Sequence, residues 1–178
     1  MANWGGLIGF SAIPPVTLFP WALHAPDVRF RLEADLRSPV AAWLRSNGFD
    51  VRDEVAILGR RADLVGVRWG RVAAVEMKLR DWPEALRQSV AYQLAADWCW
   101  VAMPLAEAAR AHRHRWRFEA EGVGLLAVDD AGRVRVALPA ETSPRLLAFS
   151  RAALLEPAAA SVDPSLLFSI EETDLQAF

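Results

Sequence analysis

Glu76 and Lys78 stand two residues apart inside the apolar run RVAAVEMKL, from Arg71 to Leu79. Side chains of a strand alternate between its faces, so this pair points the same way, together with Val72 and Ala74. Ala73, Val75, Met77 and Leu79 take the other face. A strand apolar on both faces is a covered, central one, where a charge is costly unless it is paired or binds a metal ion. Lys78 is the only lysine of the chain, every other one of its 20 Lys and Arg residues being arginine, and Tyr92 is the only tyrosine. A chain so biased towards arginine keeps a lysine where a compact, pKa-adjustable ammonium differs most from a guanidinium.

Short, patterned elements must position these groups. A helical period runs from Asp27 to about Ser46, with Leu36, Val40, Trp43 and Leu44 as its stripe and Glu33 on the same face. Asn47-Gly48 ends that helix, Phe49–Ile57 alternates as a strand, and Leu58-Gly59-Arg60 is a short turn. Arg61–Arg68, carrying Asp63, and Arg71–Leu79 are the second and third strands, joined tightly at Trp69-Gly70, so the three form an antiparallel meander. Asp81 caps the next helix, with Pro83 in its first turn and Glu84 completing a capping box. Leu86, Val90 and Leu94 form one stripe of that helix and Gln88, Ala91, Tyr92 and Ala95 another, so it is sandwiched and the polar tips of Gln88 and Tyr92 need partners. A fourth strand follows at Trp98–Met103, then a helix from Pro104 to about Phe118, a hairpin of Val123–Val128 with Val134–Leu138, and a short helix over Arg145–Leu155.

The chain has 178 residues, 53% of them hydrophobic and 24% charged, which suits one globular domain with extensions. Its boundaries fall at an apolar Pro/Gly-rich arm over 1–27, a domain over 28–155 and an acidic tail over 156–178. Pro14, Pro15 and Pro20 break any membrane-spanning helix in the arm. A basic n-region for a signal peptide is missing there, and the arm is expected to pack on the domain or on a second subunit. One cysteine, Cys99, excludes an internal disulfide framework and fits a reducing, cytoplasmic compartment. The tail holds Glu156, Asp163, Glu171, Glu172 and Asp174 and no basic residue; removing these five charges from the net of −2 leaves the body at +3.

The order helix, three meandering strands, helix, strand, with an acid on the first helix, Asp63 on the second strand and Glu76-Met77-Lys78 on the third, resembles the PD-(D/E)XK phosphodiesterase superfamily. Gln88-Ser89-Val90-Ala91-Tyr92 resembles the Q-x-x-x-Y element of its recombination-nuclease and phage-exonuclease branch. The resemblance covers about residues 28–103, and Ala62 stands where the family name places a proline. It implies a restriction-endonuclease-like fold of the α/β class, a three-layer sandwich with a central mixed sheet of core order α-β-β-β-α-β. It further implies a metal-dependent nuclease acting on DNA, in repair, recombination, restriction or mobile-element biology.

Phosphodiester cleavage needs neutralisation of an anionic phosphate and delivery of an activated water. Hard oxygen donors select Mg²⁺ or Mn²⁺, and one or two carboxylates plus water and phosphate oxygens suit Mg²⁺. On this resemblance Asp63 and Glu76 converge on the ion, and Glu33, preferred to nearby Asp35, contributes directly or through water. Lys78 orients the nucleophilic water, while Gln88 and Tyr92 sit over the site. Arg60, Arg61, Arg110, Arg113 and Arg117 are the candidates for phosphate tracking, against the alternative of a solvated face. The competing function is a non-catalytic nucleic-acid-binding or interaction subunit that retains the fold, with Asp63, Glu76 and Lys78 as a buried ion network. Either version admits a homo-oligomer or a protein partner through the arm or the tail.

Overall fold

The computed structural model describes residues 30–156, so the N-terminal arm, the start of the first helical segment and nearly all of the acidic tail lie outside the described residues. The expected helix from Asp27 is replaced, within the described part, by a 3-10 turn, Glu33–Leu36, followed by helix α1, Arg37–Ser46. Pro39 gives the reason. Proline lacks an N–H and clashes with the preceding turn, so it is tolerated only where a helix begins. Helix α1 therefore starts two residues before it. Strands β1 (Asp50–Ile57), β2 (Arg60–Arg68) and β3 (Arg71–Met77) form the expected meander. Its two turns, Leu58-Gly59 and Trp69-Gly70, hold both residues at positive φ, the backbone twist that two-residue hairpins require.

Helix α2, Trp82–Tyr92, starts as its sequence dictates: the Asp81 carboxylate accepts the Glu84 N–H at 3.1 Å, and Pro83 sits in the first turn. Strand β4 (Trp98–Pro104) then lies parallel to β3, and the Lys78 N–H extends that ladder to the Ala102 carbonyl. The single long basic helix expected after Pro104 is two helices, α3 (Leu105–His112) and α4 (Arg115–Glu121), turning at Arg113-His114. After the bend, Phe118 is fully buried. Strand β5 (Gly124–Val128) is parallel to β4, β6 (Val134–Leu138) is antiparallel to β5, and α5 (Ala148–Leu155) closes the described chain. Helix α5 starts three residues later than expected because residues 143–147 are drawn into bonds with the loop after α2.

The six strands make one mixed sheet in chain order, β1 to β6, with helices on both faces. On one face Leu36, Val40 and Leu44 pack on Leu64, Ala73, Val75 and Met77. On the other, Ala85, Leu86, Phe118 and Leu154 belong to the core that includes Val65, Val72, Ala74 and Val101. Alternation along β3 thus divides its side chains between two cores, as the pattern predicts. Removing a fully buried leucine such as Leu44 from either would cost about 2–5 kcal/mol. Among the described residues no helix is long and apolar enough to cross a membrane.

Candidate functional site

Strands β2 and β3 pair antiparallel as far as Leu64↔Val75, and the same register carried one step onward sets Asp63 opposite Glu76. Past that point side chains take over the contacts between the two strands. The Met77 N–H donates to Asp63 Oδ2 at 2.6 Å, which fixes the aspartate across the gap. Tyr92, the last residue of α2, reaches in from the helix layer. Its hydroxyl lies 2.7 Å from Glu76 Oε2 and 2.8 Å from the Arg61 carbonyl oxygen.

Lys78 follows β3 directly and carries the cation of the site. Its Nζ lies 3.8 Å from Glu76 Oε1 and 3.5 Å from Glu33 Oε2. Glu33 comes from the 3-10 turn, half-exposed. Neighbouring Asp35 is spent locally, accepting the Arg31 and Leu32 N–H groups at 2.8 and 2.9 Å. Of the two acids on this turn, Glu33 is therefore the one that meets the lysine.

Burial dominates the electrostatics. Glu76 is only 4% exposed. Desolvation pushes its carboxyl up to about 7, and Asp63 and Glu33 push the same way, against the Tyr92 hydrogen bond and Lys78. Asp63 is also raised, first by burial, and partly restored by the Met77 N–H and Lys78. Tyr92 is raised by burial and by the carboxylate it touches. A phenol has one proton and here has two oxygen neighbours. The Tyr92 hydroxyl therefore has Glu76 Oε2 and the Arg61 carbonyl oxygen as alternative acceptors for that proton.

Asp63 and Glu76 offer hard oxygens opposite one another, a donor pair that fits Mg²⁺ or Mn²⁺ completed by water and phosphate oxygens. Among the described residues no group of three or more His, Cys, Asp or Glu is close enough to hold a metal ion, and Glu33 spends an oxygen on Lys78 instead. The structure thus brings Glu33, Asp63, Glu76, Lys78 and Tyr92 together. Gln88 has no hydrogen bond to them; its Oε1 is buried without a hydrogen-bond partner.

The arginines divide. Arg60 and Arg61 begin β2 beside the site, and Arg61 pairs with Glu54 at 3.2 Å. Arg110 is ion-paired with Glu107 on its own helix, Arg113 is exposed at the α3–α4 corner, and the Arg117 guanidinium lies 5.2 Å from the Trp82 ring centre. Trp82 also stacks on His114 at 5.0 Å, so the corner is tied to the start of α2. Two residues at the site escaped the sequence reading, Arg37 and Glu54, paired at 2.8 Å. No local pattern marks either one, since Glu54 is an exposed Glu in an alternating strand and Arg37 falls inside the helical period that runs from Asp27. Comparison of the chain with family models, with curated proteins and with solved structures found no match.

Proposed function

We propose that the protein is a metal-dependent nuclease of the restriction-endonuclease-like class, hydrolysing phosphodiester bonds of DNA. One observation carries the reading: two carboxylates on adjacent strands, Asp63 and Glu76, face each other with the only lysine of the chain 3.8 Å from Glu76. The element order α1-β1-β2-β3-α2-β4, with the site at the point where β2 and β3 part, agrees with it. Asp63 and Glu76 would hold a Mg²⁺ or Mn²⁺ ion, which supplies charge neutralisation at the phosphate and a more acidic water. Glu33 acts through water from beyond the lysine. Lys78 stabilises the negative charge that develops on the phosphate and orients the attacking water. Tyr92 holds Glu76 in place, donating its hydroxyl proton to Glu76 Oε2.

A second reading, a binding subunit that keeps the fold, has one observation in its favour. Glu33 is engaged by Lys78, and among the described residues no group of three acids is placed to hold a metal ion. Single-turnover cleavage of labelled DNA with Mg²⁺ separates the two. Lys78→Ala should leave circular dichroism and DNA affinity in Ca²⁺ nearly unchanged but slow cleavage by about a hundredfold or more. Lys78→Arg should fail as well, because a planar guanidinium cannot replace the compact ammonium. Cleavage by Lys78→Ala at the parental rate would remove the catalytic assignment.

A further inference from the structure

Glu54 lies in the middle of β1, directly across from Asp63 in the register Asp53↔Leu64 and Val55↔Ala62, yet its backbone has φ of 51°. A left-handed non-glycine residue inside a strand is strained, and such strain persists where the surroundings enforce it, often at a functional site. What Glu54 gains there is a pair of cations. Its Oε1 takes Arg37 Nη2 at 2.8 Å and its Oε2 takes Arg61 Nη1 at 3.2 Å. Both guanidiniums hold the Glu54 carboxyl below its usual range, Arg37 most strongly.

Arg37 is also badly placed by local rules. It is the first residue of α1, at the positive end of the helix dipole, where an acid is favoured and a cation is not. It is held through one nitrogen by Glu54, its side chain is 31% exposed, and its Nε is buried with no hydrogen-bond partner. The guanidinium is close enough to Asp63 to oppose the rise of that carboxyl. Two local rules are broken side by side, and the result is a pair of arginines gathered on one carboxylate, with Arg37 also near Asp63.

We propose that Arg37 and Arg61, gathered by Glu54, form a clamp for a backbone phosphate adjoining the one cleaved between Asp63, Glu76 and Lys78. A phosphodiester presents two non-bridging oxygens, and guanidinium forks bind such oxygens with charge-assisted hydrogen bonds. Glu54 acts as a positioning residue, fixing the forks before the strand arrives. The clamp rests on the nuclease reading and adds to it the path of the strand, across β1 and the start of α1.

The test uses the full chain and a set of labelled oligonucleotides, each with one linkage made neutral as a methylphosphonate, bound in Ca²⁺ at several salt concentrations. For the parent, neutralising the clamped linkage should weaken binding about tenfold, the loss of one charge-assisted contact. In Arg37→Ala the same neutral linkage should cost clearly less than in the parent, since only Arg61 still contacts it, and the log–log salt slope should fall by about 0.7–0.9 unit. Arg61, 69% exposed, can be removed without risk to the core, so Arg61→Ala repeats the test should Arg37→Ala fail to fold. Glu54→Gln should raise KM for cleavage and leave kcat near the parental value, whereas Arg37→Lys should restore the salt slope but not the affinity. Full methylphosphonate penalties in both arginine variants, with Lys78-dependent cleavage intact, overturn the clamp alone. A parent that neither binds nor cleaves any of these strands overturns the nuclease reading and the clamp with it.

Discussion

Two buried carboxylates occupy opposite ends of β3, and they are treated very differently. Asp97, beside the start of the strand, is 0% exposed and fully compensated. It accepts the Val72 N–H at 2.8 Å and two guanidiniums, from Arg71 at 2.8 Å and Arg151 at 3.0 Å. Around it, Arg145 binds Gln93 and pairs with Glu121, and Ser143 bonds to the Gln93 carbonyl. Glu76, at the other end, is 4% exposed and has a tyrosine hydroxyl, one ammonium at 3.8 Å and two further acids for company. The first arrangement answers each charge with more than one partner and ties α5 to the sheet. The second leaves negative charge unanswered inside the protein, which structure alone gives no reason to keep.

The largest effect expected from this contrast is on Asp97. Asp97→Ala should destabilise the fold by about 3–5 kcal/mol, since it strands two arginines and the Val72 N–H. Urea melts should detect the loss, and a change within experimental error would make the two ends alike.

Glu76 should behave with the opposite sign. Its carboxyl is raised from an ordinary 4.5 to about 7 in the folded chain. The unfolded chain therefore releases this proton at lower pH than the folded one. Its contribution to stability is full below pH 4.5 and is lost as pH rises towards 7, by on the order of 3 kcal/mol in all. Without metal, Glu76→Gln should be more stable than the parent at pH 8 and should lose this pH dependence. Parallel stability curves for parent and variant between pH 4.5 and 8 would contradict the burial argument.

Divalent ions sharpen the comparison further. An ion held by Asp63 and Glu76 only in the folded state should stabilise it by about 2.7 kcal/mol at a hundredfold excess over Kd. Asp63→Asn should abolish that shift, and Asp97→Ala should leave it in place. A melting temperature indifferent to millimolar Mg²⁺ and Mn²⁺ counts against the site.

The smallest effect concerns the α3–α4 corner. Exposed Arg113 should contribute close to one unit to the salt slope of DNA binding, Arg117 a similar amount, and Arg110, already paired with Glu107, less. Equal slopes for the parent and all three alanine variants would return the corner to a solvated face.

Local pattern reached far in this chain because its signals act over a few residues. Alternation divided Val72, Ala74 and Glu76 from Ala73, Val75 and Met77, and Val72 and Ala74 do enter one core while Ala73, Val75 and Met77 enter the other. Asp81, Pro83 and Glu84 marked the start of α2, and the two X-Gly turns marked the hairpins, because caps and turns are satisfied by their own neighbours. The charges on β3 stood out for the same reason, as an Glu and a Lys in a run with no room for either. What decided their meaning lies further apart in the chain. The register that puts Asp63 opposite Glu76 depends on pairing between strands, and Glu33 rather than Asp35 meets Lys78 because Asp35 closes its own turn. Tyr92 spans β2 and β3 only once α2 is docked. The Asp97 network joins residues 25 and 54 positions apart, and the strained Glu54 with Arg37 joins residues 17 apart, distances over which no sequence period carries information. Propensity and periodicity specify elements and faces, whereas burial, and the partner each buried charge finds, belong to the packed chain alone.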